Sequence, residues 1–187
     1  MNRTRILGIG GTLRAGSTSE RALRYALDAA AAHGADTELI VAADLTFPMY
    51  DPDHPQPAGA AKLLEAVRRA DGLVVSTPGY HGGTSGLLKN ALDYLQELAT
   101  DPAPYLHGKA VGCIVATSGW QAGVTTLTSL RSTVHALRGW PTPLGVVLNS
   151  SAKPFGPDGP DAKVAQQLET VGRQVADFAR AQAWSAA

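Results

Sequence analysis

Thr12, Arg14, Ser17, Thr18 and Ser19 gather hydroxyls and a guanidinium among Gly10, Gly11 and Gly16 within one short stretch near the start of the chain. Hydroxyl hydrogens and a guanidinium fork are donors suited to an anion with several oxygens. The residues before them are apolar (Ile6, Leu7, Ile9). Those after them open with Ser17 and Glu20 at capping-box spacing, ahead of apolar positions at Leu23, Ala26, Leu27 and Ala30. The stretch predicts strand, tight loop and helix N-terminus, where free backbone N–H groups and the helix dipole favour an anion. We read it as a phosphate cradle; the alternative at this level is an ordinary strand-to-helix turn with a good N-cap.

Two familiar cradles can be tested by spelling. Gly11 to Thr18 matches the nucleotide-triphosphatase P-loop at both glycines but has Ser17 where the phosphate-binding Lys must stand. A dinucleotide fingerprint beginning at Gly8 finds its second glycine at Gly10 and Leu13 where the third is required. A loop rich in hydroxyls with one Arg suits a single terminal phosphomonoester.

Two further segments have chemistry-bearing composition. Pro78, Gly79, Tyr80, His81, Gly82 and Gly83 set an aromatic ring beside a run of backbone amides, and Thr117, Ser118, Gly119 and Trp120 form a second such turn. An aromatic next to free N–H groups suits a flat heteroaromatic ring with carbonyl and ring-nitrogen acceptors. The competing reading makes Tyr80 and Trp120 core or interface aromatics. No residue supplies His81 with an acid–base partner at readable spacing.

These turns need elements to hold them. Apolar runs predict strands near Ile6–Ile9 and over Asp36–Ala42, Gly72–Thr77, Lys109–Thr117 and Pro143–Leu148. Helical spacing marks segments after each, including Leu88, Ala91, Leu92, Leu95 and Leu98, and a closing helix through Val164, Leu168, Val171, Val175 and Phe178. Gly34 reads as the residue that ends the first helix. Such alternation requires a parallel sheet with right-handed helical crossovers on both faces. We expect one α/β domain over residues 1–187, a doubly wound five-stranded sheet in the order 2-1-3-4-5. In such sheets the ligand lies beyond the carboxyl ends of the strands, where the order reverses. The turns after the first, third and fourth strands meet there, while the opposite-end turns at Gly34–Ala35 and Ala70–Asp71 are short and bland.

Composition excludes other classes. Lys plus Arg and Asp plus Glu number 16 each, with no basic tract, which argues against nucleic acid or an anionic membrane as partner. No apolar run is long enough to span a bilayer and no signal peptide is recognisable, so a cytoplasmic location is expected. Cys113 sits inside an apolar run and reads as a core thiol; no cysteine metal site or disulfide is expected.

Taken together, Gly11-Thr12-x-Arg14-x-x-Ser17, then Pro78-x-Tyr80-His81 with Gly86-x-Leu88-Lys89-Asn90-Ala91-x-Asp93, then Ser118-Gly119-x-x-x-Gly123 resemble the NAD(P)H-dependent FMN reductase family of the flavodoxin-like fold, a three-layer sandwich. The resemblance implies that Thr12, Arg14, Ser17 and Ser19, with Thr18 beside them, hold the FMN phosphate. Pro78, Gly79, Tyr80, His81, Gly82 and Gly83 would line the isoalloxazine, and Thr117, Ser118 and Gly119 its pyrimidine side. It implies NADPH or NADH as hydride donor and flavin N5 as the carrier, with no catalytic side chain and no metal. A small acceptor (free flavin, quinone or azo compound) would be reduced in a ping-pong sequence. A homodimer or homotetramer through the apolar, aromatic-bearing helix Leu87–Leu98 is expected. This sequence departs from the pattern at His81, usually Asn, at Gly79, frequently acidic, and at Ser85, commonly Pro. Two other functions compete: a flavodoxin-like electron carrier, against which zero net charge speaks, and a non-redox module binding another phosphorylated ligand. The loop Phe47–Gln56 with His54 and the connector Asn149–Pro160 are placed to shape acceptor access.

Overall fold

A computed structural model of the chain describes residues 3–185. The chain runs β1 (Arg5–Gly10), α1 (Thr18–Ala32), β2 (Asp36–Val41), α2 (Ala58–Arg69), β3 (Gly72–Tyr80), β4 (Gly83–Thr84), α3 (Gly86–Asp93), β5 (Ala110–Thr117), α4 (Trp120–Ala136), β6 (Trp140–Pro141), β7 (Val146–Asn149), β8 (Phe155–Gly156), β9 (Gly159–Pro160) and α5 (Ala162–Ser185). The parallel strands lie in the order β2-β1-β3-β5, with β6 and β7 both on the outer side of β5 and β4 antiparallel on the end of β3. This is the flavodoxin-like α/β arrangement, with strand order reversing between β1 and β3.

The fifth position differs from the expected single strand Pro143–Leu148. It is two short pieces, β6 and β7, separated by residues 142–145. Pro143 has no N–H to give the ladder. The interruption is secured instead by side chains: Arg131 Nη1 donates to the Thr142 carbonyl at 2.8 Å, and the Thr142 hydroxyl to the Leu144 carbonyl at 3.0 Å.

Burial on both faces explains why the central strands read as unbroken apolar runs. Leu73 and Val75 of β3, with Val111, Cys113 and Val115 of β5, face α2, α3 and α4. Their alternates Val74, Ala110, Ile114 and Ala116 face α1 and α5. Each fully buried Leu or Val stabilises the fold by roughly 1.5–3 kcal/mol relative to exposure. The two helices on the second face approach closely at Gly172, where a Cβ would lie 2.2 Å from the Ala26 carbonyl.

The expected long third helix is shorter. After α3 the chain tightens into a 3₁₀ turn, Tyr94–Leu98. Leu88, Ala91, Leu92, Tyr94, Leu95 and Leu98 are all buried against the chain's own core. The apolar face that suggested self-association is therefore occupied internally. Buried Asn90 clamps the preceding loop, donating to the Pro48 carbonyl at 2.9 Å and accepting from the Tyr50 N–H at 2.8 Å. Lys89 and Asp93 pair with each other at 2.6 Å.

Candidate cofactor site

The first turn is built by β1 and α1. Gly11 carries the sheet pairing one residue beyond β1, donating to the Ser76 carbonyl at 2.8 Å. The Thr12 hydroxyl accepts from the Arg14 N–H at 3.2 Å, and the chain reverses at Gly16 with φ +67°. Ser17 caps α1, its Oγ accepting from the Glu20 N–H at 3.3 Å, with the Ser19 hydroxyl 3.2 Å away. The capping box is not reciprocal. Glu20 accepts from the Gly16 N–H at 3.1 Å rather than from the Ser17 N–H, which donates to the Arg14 carbonyl at 3.3 Å. The exposed Arg14 guanidinium has no protein partner among the described residues.

The second turn is a hairpin rather than an open glycine loop. β3 runs three residues past the expected Thr77, and Tyr80 pairs with Gly83 across a two-residue turn. His81 (φ +53°) and Gly82 (φ +83°) both occupy the left-handed region, as the type I′ turn that fits strand twist requires. Asn is the usual non-glycine residue in such backbone, and His is also enriched there. At Gly79 a Cβ would stand 2.5 Å from Thr117 Cγ2 and 2.7 Å from Thr126 Oγ1, so the space an acidic side chain would need is filled. The third turn follows β5, where the Thr117 hydroxyl donates to the Gly119 carbonyl at 2.8 Å before α4 begins.

Ser85 ties these turns together. Its hydroxyl donates to the Gly11 carbonyl at 2.6 Å and accepts from the Leu88 N–H at 3.1 Å, capping α3, while its own N–H donates to Thr77 Oγ1 at 3.1 Å. The signal for this role lies in the sequence itself: Ser85 stands at N-cap spacing before the helical pattern from Leu88.

The three turns enclose a groove of about 560 Å³ at the carboxyl end of the sheet. Thr12, Arg14, Ser17, Thr18, Ser19, Pro78, Gly79, Tyr80, His81, Thr117, Ser118 and Gly119 line it; Gly82 and Gly83, expected beside them, do not, because the hairpin carries them towards α4. Gly16, Ala116, Ala122 and Ser150 join the lining without having been foreseen. Ser150 arrives through the connector after β7, where the Ser151 hydroxyl donates to the Ser118 carbonyl at 3.3 Å. Tyr80 and Trp120 are about 60% exposed (61% and 59%), so neither is a core aromatic. His54 is paired with Asp51 at 2.8 Å, outside the groove.

A groove of about 620 Å³ between β2 and α2 is slightly larger, but its guanidinium, Arg69, is already paired with Glu38 and Glu65. Donor chemistry selects the strand-end groove instead: hydroxyls, helix-initiating amides and an unpaired guanidinium stand at one end, an aromatic hairpin and a polar turn at the other. That set fits a phosphate joined to a flat polar ring. No cluster that could hold a metal occurs among the described residues, and no helix there is long and apolar enough to cross a membrane. Burial pushes the Cys113 thiol up to about 12, in keeping with a core residue.

Comparison with known proteins agrees with the geometry. The model of the family described as NADPH-dependent FMN reductase matches residues 4–153. An NAD(P)H-dependent FMN reductase of Pseudomonas aeruginosa is 31% identical over 153 residues, 80% of this chain and 79% of that one. An NADPH azoreductase of Bacillus sp. strain OY1-2 is 33% identical over 119 residues, 63% of this chain and 64% of that one. The quinone reductase of Escherichia coli K12 is 36% identical over 113 residues, 58% of this chain and 57% of that one. Alignment with the last two thus spans less than two thirds of their length. Among solved structures, a flavoenzyme NAD(P)H:(acceptor) oxidoreductase from Paracoccus denitrificans superimposes with a TM-score of 0.76 at 18% identity, covering 96% of this chain and 98% of that one; this likeness speaks to fold alone. Family match, strand order and turn chemistry converge, and the chain belongs to the NADPH-dependent FMN reductase family.

Proposed function

We propose that the chain is an FMN-dependent NAD(P)H oxidoreductase that passes hydride from a nicotinamide to a small acceptor, a free flavin, quinone or azo compound, by a ping-pong sequence. The observation that carries this reading is the strand-end groove, where an unpartnered Arg14 guanidinium and the capping hydroxyls of α1 stand opposite the Tyr80–His81 hairpin. FMN, when bound, supplies reversible hydride chemistry that no side chain here can supply.

The chain's own work is positioning. Thr12, Arg14, Ser17, Thr18 and Ser19 would hold the phosphate, through charge-assisted and hydroxyl hydrogen bonds at a helix N-terminus. Pro78, Gly79, Tyr80 and His81 would hold the ring, and Thr117, Ser118 and Gly119 its pyrimidine side. The exposed side chains of Tyr80 and His81 form no hydrogen bond among the described residues, so neither stands in a preformed acid–base pair. A groove open to solvent accepts the donor and the acceptor in turn, which supports ping-pong kinetics.

A steady-state screen of quinones, azo dyes, chromate and free FMN with NADPH and NADH tests the reading; parallel double-reciprocal lines are expected. We propose a homodimer or homotetramer on family resemblance, and light scattering of a monomer at about micromolar concentration would remove that element.

A further inference from the structure

Glu20 is an acidic residue directly behind the proposed phosphate cradle, bonded to its Gly16 but not itself lining the groove. Its side chain is 9% exposed, and its carboxylate stands at the start of α1, where it accepts from the Gly16 N–H at 3.1 Å. Gly16 lines the groove, so this carboxylate fixes a residue of the cradle while bringing a negative charge beside it. A phosphate dianion cannot share that region with the Glu20 carboxylate without cost unless the carboxylate's charge is balanced. The balance is present: Arg24, one turn along the helix, places Nε and Nη2 at 2.9 and 2.8 Å from the same Glu20 oxygen. Arg21 is not available for the task, because its Nη2 donates to the Gly156 carbonyl at 2.6 Å and its guanidinium lies over Phe155. Glu20 thus has one oxygen on the loop and the other on a cation that does not line the groove.

We infer that Arg24 is a positioning residue for phosphate binding: it neutralises and orients Glu20, so that the carboxylate can brace the Gly16 turn without repelling the phosphate. The inference rests on the flavin reading of the groove. Arg24 touches no ligand itself; its effect runs through Glu20.

Two flavins separate the terms, because riboflavin offers the same ring without the phosphate. FMN and riboflavin would be titrated into wild type, Arg24→Met, Arg24→Lys, Glu20→Gln and Glu20→Gln/Arg24→Met, with flavin fluorescence as the readout. Arg24→Met is expected to weaken FMN about tenfold, since the nearly buried Glu20 carboxylate loses its half-exposed cation, and to leave riboflavin affinity unchanged. Arg24→Lys should stay near wild type, and adding Glu20→Gln to Arg24→Met should recover most of the lost FMN affinity. A purely structural role would weaken both flavins alike and would not respond to Glu20→Gln. Either that pattern or unchanged FMN affinity in Arg24→Met overturns the inference. If wild type bound neither flavin, the flavin reading would fail by itself. Thermal shift with inorganic phosphate on the same variants would then decide the role of Arg24.

Discussion

The hydroxyl of Ser85 donates to the carbonyl of Gly11 at 2.6 Å, joining positions 74 residues apart in the chain. The same oxygen caps α3 and the same residue's N–H holds Thr77 Oγ1. One small side chain therefore fixes the start of the phosphate turn against the second turn and the helix that follows it. A Pro at this position could supply none of these hydrogen bonds.

Replacing Ser85 by Ala removes the cap and leaves the buried Gly11 carbonyl without its donor. The expected cost is about 2 kcal/mol, the sum of a lost N-cap and an orphaned acceptor. Urea unfolding measures it, with an unchanged denaturant slope and a lower midpoint. A midpoint within error of wild type would show that the junction is held by other contacts.

Gly79→Asp tests why an acidic residue is missing from the second turn. Thr117 and Thr126 already occupy the space of a side chain there. The substitution should destabilise by roughly 1–3 kcal/mol through overpacking, and FMN affinity should fall with it as the groove wall moves. Paired substitution with Thr117→Ser, which removes the nearest atom, Cγ2, should restore part of the stability; no gain in the pair would contradict the steric account.

His81 stands at a left-handed position of a two-residue turn. His81→Asn should lie within about 0.5 kcal/mol of wild type, whereas His81→Val should cost roughly 1–2 kcal/mol, because a branched Cβ is strained at positive φ. Thermal melts of the two variants distinguish backbone strain from loss of the imidazole. Equal melting temperatures would contradict the turn assignment.

Cys113 is fully buried, and burial raises its thiol from an ordinary 9.0 to about 12. The unfolded chain releases that proton first, so stability is lost as pH rises from about 9.0 towards 12, and Cys113→Val should flatten this slope. At about pH 8 the native thiol should resist alkylation while the unfolded chain reacts at once. Fast labelling of the native protein would contradict the burial.

Much of this was legible in the sequence, and the residues show why. Central strands buried on both faces leave continuous apolar runs, so Gly72–Thr77 and Lys109–Thr117 were readable, and Ser17 with Glu20 marked the start of α1. The anion turn was readable because its donors lie within a few residues of each other. What was not readable depended on backbone geometry and on distant partners. Residue spacing does not say that Glu20 accepts from Gly16 rather than from Ser17, that β3 continues into a hairpin, or that the edge strand resumes after Pro143. The apolar face of α3 was recognised, but periodicity cannot tell an internal face from an interface; only packing against the core of Leu88 and Leu95 decides it. Ser150 entered the groove through a connector whose path is set by tertiary contacts.

The central claim is that the turn after β1 grips the phosphate of FMN, with Arg14 as its unpaired cation. Titrating FMN into wild type and Arg14→Ala, with flavin fluorescence as the readout and riboflavin as the control, tests it most directly. Wild type should bind FMN and yield a yellow protein, and Arg14→Ala should lose affinity by about tenfold or more, as expected for a charge-assisted contact to phosphate, with riboflavin unaffected. FMN affinity undiminished in Arg14→Ala, or a colourless wild type that cannot be reconstituted, would contradict the account.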